Sequence, residues 1–170
     1  MSRLTKVHGI RVEIPYKIFA FIESACDRYP HIPRRERFSH VIFGALGVLY
    51  DIAALHSLGY LVISETPELM EVHKYETSLF VRSVLDSHDG ALFEFAGDDV
   101  TCATILAIGD LLRLKEPSEV IKVAVSFFAE LATALLSGKR LFIGRGISPF
   151  SPDNFYMPEP LEPFRYKTFQ

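Results

Sequence analysis

The chain repeats part of its own sequence at an offset of 79 residues. When residues 39–59 are laid on residues 118–138 without a gap, six of the 21 positions are identical. Each copy opens with a serine, which can cap the first turn of a helix, and ends with a glycine, which can adopt the left-handed conformation beyond the last turn. An internal period constrains the fold strongly, because each of the two similar units must find a packing partner. The identical pairs are Ser39/Ser118, Val41/Val120, Ile42/Ile121, Ala45/Ala124, Ala53/Ala132 and Gly59/Gly138.

Similar elements flank both copies. Residues 10–14 alternate between apolar and charged side chains, the period of a half-buried strand, and Pro15 then suits the start of a short helix. The odd positions of residues 91–95 are apolar with the same period, and Asp98 or Asp99 can cap the apolar stretch that follows. Each unit is therefore predicted to run strand, helix, turn, capped long helix and short strand. The short strands are predicted at residues 60–63 and 140–143.

Two stretches lack these patterns. Residues 65–88 are loosely helical, although Ser78–Leu85 could equally form a strand. After Ile143, prolines, glycines and aromatic residues predominate, which excludes a regular helix and predicts an extended strap lying on the body of the protein or on a partner. The predicted parts are residues 1–64 (first unit), 65–88 (connector), 89–144 (second unit) and 145–170 (tail), and the tail residues predicted to bind a partner are Phe150, Phe155, Tyr156, Phe164 and Tyr166.

Charge is distributed unevenly along the chain. Residues 1–40 carry eight basic and four acidic side chains, a net charge of +4, which leaves −7 for the remainder of a chain whose total is −3. A polyanion is therefore expected to meet the N-terminal quarter first. No stretch approaches the roughly 18 uninterrupted apolar residues of a membrane span, and the N-terminal segment lacks the apolar core of a secretory signal. A cytoplasmic protein without membrane contact is predicted.

The sequence contains no recognisable catalytic or metal-binding pattern. Its six histidines form no HExxH pair, and Cys26 and Cys102 lack the spacing of metal ligands. The adjacent Asp98 and Asp99 are better explained as a helix cap than as acid–base machinery. We therefore predict a protein that is not an enzyme and uses no cofactor or metal.

Two short runs resemble the ribbon-helix-helix family of DNA-binding repressors. Val12–Lys17 is similar to the V-x-I-P-x-K run of the methionine-repressor branch, and Pro117–Lys122 is similar to a Ser-Glu-Val-Ile-containing helix start in the wider family. The resemblance covers residues 8–58 and 91–137. It implies a mostly helical α+β fold, in which two tandem units form a pseudo-dimer within one chain and pair Ile10–Ile14 with residues 91–95. Pairing of the same strands between two chains is the alternative.

The resemblance also implies a DNA-binding site. In that family, outward side chains of the paired strands enter the major groove, and N–H groups at the start of the second helix hold phosphates. The corresponding outward residues here include Glu94 and Leu92, which depart from a basic surface, and Ser118 lies between two glutamates. The residues predicted to contact DNA are Lys6, Arg11, Glu13, Arg34, Arg35, Arg37, Ser39 and His40.

Two functions remain open at this stage. The first is a transcriptional regulator that binds double-stranded DNA through its basic first unit. The second is an interaction or adaptor module that binds a protein through its acidic second unit or its aromatic tail. A separate structural prediction concerns Gly44 and Gly47, which cost helix stability unless close packing requires them, so another helix is expected to cross there.

Overall fold

The computed structural model describes residues 8–66, 71–75, 77–87, 89–145 and 155–165. Three residues of the predicted sites, Lys6, Phe150 and Tyr166, lie outside this part of the chain. In chain order the helices and strands are β1 (His8–Pro15), α1 (Tyr16–Cys26), α2 (Arg37–Ser57), β2 (Tyr60–Thr66), β3 (Glu71–Tyr75), α3 (Thr77–Leu85), β4 (Gly90–Gly97), α4 (Asp99–Leu112), α5 (Pro117–Leu136) and β5 (Arg140–Arg145), with short 3₁₀ helices at Arg34–Glu36 and Glu159–Phe164.

The order of elements confirms a mostly helical α+β fold. A strand, a short helix, a long helix and a second strand occur twice, as β1–α1–α2–β2 and as β4–α4–α5–β5. The strand β3 and the helix α3 stand between the two series. Alternation with a period of two produced the first strand of each series, and the apolar long helices follow from their buried faces.

The first strands of the two series pair with each other inside one chain. β1 and β4 form a two-stranded antiparallel sheet, in which Ile10 lies opposite Phe95 and Ile14 opposite Ala91. This is the predicted intrachain pairing. The pair Val12 and Phe93 occupies the middle of the register, so each strand runs a similar distance to either side of it.

The last strands of the two series also pair with each other. β2 lies between β3 and β5 in a three-stranded antiparallel sheet. Within the β2–β5 ladder, Ile63 lies opposite Phe142, and these positions differ by 142 − 63 = 79 residues, the offset of the sequence repeat. Corresponding residues therefore face each other in the second sheet.

The two long helices share one hydrophobic core. α2 and α5 pack together, and the core contains buried side chains from both series of elements. The segment Arg34–Ser57 is long and apolar enough, by length and composition, to cross a membrane. A core helix satisfies the same criteria, and eight residues of α2 are buried inside the protein.

The long helices begin before the serines that were predicted to cap them. α2 starts at Arg37, so Ser39 lies inside its first turn, and α5 starts at Pro117, one residue before Ser118. Neither serine is the N-cap, and that prediction is wrong. The reason in α5 is the proline, whose fixed φ and missing N–H suit the first helical position.

The ends of both long helices agree with the prediction. Gly59 and Gly138 adopt positive φ angles of 85° and 87°. This left-handed conformation turns the chain out of each helix and into the strand that follows. The capping of the second short helix is also confirmed, because an Asp98 carboxylate oxygen accepts a hydrogen bond from the Thr101 N–H at 2.8 Å.

The connector contains more regular structure than its sequence indicated. Of the two alternatives for Ser78–Leu85, the helix is correct, since these residues belong to α3. β3 was not predicted, and β2 extends to Thr66, beyond the predicted run. Pairing with β2 stabilises β3, and such pairing between distant residues leaves no periodic mark in a segment of five residues.

The described part of the tail, Phe155–Arg165, lies on the protein body as a strap. Its middle forms a 3₁₀ helix, so the strap is not extended throughout as predicted. Leu161 and Phe164 are buried in the core, and the Tyr156 N–H donates to the Leu141 carbonyl at 3.0 Å. The strap is thus a structural part of the fold.

The glycine pair in α2 does not mark a helix crossing. A Cβ on Gly44 would come within 2.9 Å of the Cβ of Pro160, so the close neighbour there is the strap. A Cβ on Gly47 would meet nothing within 4 Å. The prediction is therefore wrong for Gly47, and for Gly44 it identified close packing but the wrong partner.

Candidate nucleic-acid interface

The β1–β4 ribbon has one buried and one exposed face. Val12 and Ile14 are buried on the core side, whereas Arg11 and Glu13 point outward, as their alternation predicted. No third strand pairs with the ribbon among the residues that the structure describes. On the outer face, opposite residues form the cross-strand pairs Arg11/Glu94 and Glu13/Leu92.

The charge on this outer face is mixed. The arginine lies opposite a carboxylate, and Glu13 lies opposite Leu92, whose side chain is 71% exposed. One basic and two acidic groups give this face a formal charge of −1. The ribbon alone therefore does not attract a polyanion, and any attraction must come from its flanks.

One flank is the start of α2. Phe38, in the first turn of this helix, packs on Phe93 of β4 with ring centroids 4.5 Å apart, which places the helix start beside the ribbon. Arg34 and Arg35, in the preceding 3₁₀ helix, are exposed. The structure thus brings two predicted arginines to the side of β4.

Three other predicted residues near the start of α2 have structural roles. Arg37 donates from Nε to the Ile32 carbonyl at 2.9 Å and from a terminal nitrogen to the Pro30 carbonyl at 3.3 Å, so it fixes the preceding loop. The His40 ring packs edge-on against Tyr29 at a centroid distance of 4.8 Å. Ser39 is half-buried. The exposed arginines are better placed than these three to reach a ligand.

The other flank, the start of α5, is chemically different. Glu13, Ser118, Glu119 and Lys122 line a shallow cavity of about 190 Å³, together with Leu85 at the end of α3. The Lys122 ammonium donates to the carbonyl of Ser87. The connector therefore covers this helix start, and two carboxylates oppose an anion there.

Two basic residues before α5 escaped the sequence analysis. Arg113 and Lys115 are exposed in the turn between α4 and α5. Arg113 corresponds to Arg34 at the repeat offset, since 34 + 79 = 113, but the alignment had been started at the two serines. Extending it by five residues would have found the match. Arg113 also ends α4, with a left-handed φ of 58°.

The aromatic residues of the strap do not form a partner-binding surface. Tyr156 and Phe164 are buried, and the Tyr156 hydroxyl donates to the Val48 carbonyl at 3.5 Å. Burial raises the pKa of Tyr156 well above its ordinary value. The prediction that these two residues bind a partner is wrong. Phe155 is 58% exposed, and its ring stacks on Phe142 with centroids 5.0 Å apart.

The described residues contain no group of three or more potential ligand side chains that could hold a metal ion. Cys26 and Cys102 are free thiols, and burial raises the pKa of each above its ordinary value. A raised thiol pKa lowers the thiolate fraction at neutral pH and with it the reactivity of the group.

Comparisons with known proteins do not assign the chain to a family. No protein-family model matches the sequence, and neither the curated proteins nor the solved structures include a significant match.

Proposed function

We propose that the chain is a tandem duplication of a ribbon-helix-helix-like unit and that it binds double-stranded DNA through the β1–β4 ribbon. The repeated order of elements supports the duplication, as does the opposition of Ile63 and Phe142 at the repeat offset. Closure of the two units within one chain would then replace the dimer that separate units need to bury their strands and helices.

One observation carries the DNA-binding part of the proposal. The ribbon has a solvent-facing side that no described strand covers, and Arg34 and Arg35 lie exposed just before the helix whose first turn packs on β4. The major groove of B-DNA is about 12 Å wide and admits a two-stranded ribbon. In this arrangement Arg11 faces base edges while Arg34 and Arg35 neutralise neighbouring phosphates.

The two flanks would contribute unequally. At the start of α5, Arg113 and Lys115 can reach phosphates, but Glu119 and the covering connector oppose close approach to the helix N–H groups. Attraction is therefore strongest at the α2 flank. Because few phosphates are neutralised, the affinity should fall with salt less steeply than for a uniformly basic protein.

The test is the salt dependence of binding to a mixed-sequence duplex of about 30 base pairs, followed by fluorescence anisotropy. We expect binding at about 50 mM salt and its loss at moderate salt. The variant R34A/R35A should weaken binding and reduce the slope of log K against log salt by about 2, roughly one for each phosphate contact. The matched control R82A/R165A removes two other exposed arginines and should leave the slope unchanged. Absence of binding at low salt, or equal effects of both variants, would overturn the proposal.

Leu92 favours a second candidate function, the binding of another protein. A leucine that is 71% exposed near two carboxylates suits a basic, partly apolar protein segment. The variant L92R distinguishes the candidates. If the ribbon binds DNA, this arginine should tighten duplex binding, because it adds a positive charge at the position related to Arg11. If DNA binding stays absent in L92R, the protein-binding function is favoured.

A further inference from the structure

The outer face of α4 differs in chemistry from the corresponding face of α1. The two helices correspond at an offset of 83, since their first residues are 16 and 99, and Ile22 and Ile105 are buried at equivalent positions. The outward positions are polar in α1 and apolar in α4. The outward pairs are Lys17/Val100, Glu23/Leu106 and Ser24/Ala107, with Ala20/Ala103 alike in both helices.

The apolar residues of α4 form one exposed face. Val100 is 75%, Leu106 65% and Leu111 39% exposed, and Ala103 and Ala107 complete the same side of the helix at its period of 3.6 residues. The opposite side supplies the buried residues of α4. A helix that is apolar on both sides has one side that is not accounted for by the core, and such a face marks an interaction site.

The two ends of α4 carry opposite charges. Asp98 and Asp99 stand at its N-terminal end, and Arg113 and Lys115 follow its C-terminal end. When two copies of such a helix lie antiparallel, each acidic end meets the basic end of the other copy. The face is therefore complementary to itself under a two-fold rotation, which is the requirement for a closed symmetric dimer.

We propose that this face is a homodimerisation surface on which α4 packs antiparallel against α4 of a second copy. Ala103 and Ala107 lie one turn apart at the middle of the face, and their small side chains allow the helix axes to approach closely. Leu106 and Leu111 then fill the contact on either side, and the opposite charges fix the antiparallel direction. This dimer is separate from the β1–β4 ribbon, which is already closed within each chain.

The mass of the protein in solution tests this proposal. Light scattering or sedimentation at micromolar concentration should give twice the chain mass of 19.2 kDa. The variant L106E/L111E places carboxylates on the face, one of them at the position where α1 has Glu23, and should weaken dimerisation by about 100-fold or more. The control L58E/L79E changes two leucines that are 67% and 58% exposed elsewhere and should remain dimeric. Circular dichroism shows whether each variant is folded.

Two outcomes overturn the proposal: a monomeric wild-type protein, and a dimer that persists in folded L106E/L111E. The direction of packing is tested separately by K115E, which puts an acidic group where the acidic end of the partner helix should lie. At low salt this substitution should weaken the dimer by about two- to fivefold. An unchanged or tighter dimer in K115E would exclude the antiparallel arrangement.

Discussion

The two halves of the molecule share an order of elements but differ in what covers their long helices. The strap lies on α2, where Gly44 gives space to Pro160, whereas α3 lies along α5, where Phe80 packs on Phe127 at 4.5 Å. The inward pattern of the two halves is similar and the outward pattern is not. The core-facing residues therefore maintain the common topology, and the outer surfaces are free to acquire different coverings.

The first helices of the halves show the same contrast at their N-termini. The residue before α1 is Pro15, which makes no side-chain cap, whereas the residue before α4 is Asp98, which accepts from the Thr101 N–H. This hydrogen bond lowers the pKa of the Asp98 carboxyl. The helix that is apolar on both sides thus has its own polar cap, while α1 relies on packing under the strap.

The largest effect is expected from removing the aromatic anchor of the strap. Phe164 is 1% exposed and contacts the rings of Phe21 and Phe128 at 5.7 and 5.5 Å. Phe164→Ala should lower the free energy of unfolding by about 3–5 kcal/mol, measured by urea denaturation. The control Phe155→Ala alters an exposed ring of the same strap and should cost far less. Similar losses in both variants would show that the strap is not specifically anchored at α2.

A smaller effect separates the two glycines of α2. Gly44→Ala places a methyl group 2.9 Å from the rigid Pro160 ring, and overpacking of this kind costs about 1–3 kcal/mol. Gly47→Ala meets no neighbour within 4 Å and should gain about 1 kcal/mol from helix propensity. Thermal unfolding of both variants should therefore give shifts of opposite sign. Stabilisation by both substitutions would mean that the strap does not restrict α2.

The smallest effect concerns the hydrogen bond between the α1–α2 loop and the strap. The Tyr29 hydroxyl donates to the Pro160 carbonyl at 2.9 Å, so Tyr29→Phe should cost about 1 kcal/mol at neutral pH. Burial also raises the pKa of Tyr29 to about 12 from its ordinary value of 10.0.

The raised pKa gives this variant a pH signature. The folded state holds the Tyr29 proton more tightly than the unfolded state, so the associated stability is complete below pH 10 and is lost as the pH rises toward 12. The phenylalanine cannot ionise, and the stability of Tyr29→Phe should decline less steeply over this range. Denaturation curves at pH 9, 10 and 11 check this, and parallel declines for both proteins would refute the role of Tyr29.

Sequence patterns predicted the pairing of the ribbon but not the details of the helix starts. Strict alternation around Val12 and Phe93 fixes which side of each strand is buried, and that in turn fixes their common sheet. Capping by Ser39 was a local inference, and it failed because the loop before α2 is fixed by the hydrogen bonds of Arg37. Such bonds to distant carbonyls have no periodic pattern in the sequence.

The candidate site was only partly predictable for a related reason. The outward positions Arg11 and Glu13 follow directly from strand alternation. In contrast, the covering of the α5 start depends on where α3 ends and on the contact between Lys122 and Ser87, which is 35 residues away. The buried aromatic residues of the tail were also unpredictable, since a proline-rich composition is compatible with both packing on the body and exposure.

The ribbon has a consequence for biosynthesis. Val12 pairs with Phe93, so the strand that is made first must wait for a partner 93 − 12 = 81 residues later in translation. Until that partner leaves the ribosome, the first half has an unpaired strand edge and an uncovered apolar helix, which are features that promote aggregation. Contacts this distant in sequence also slow the folding of the finished chain. The nascent first half is therefore the stage at which this protein most needs a chaperone.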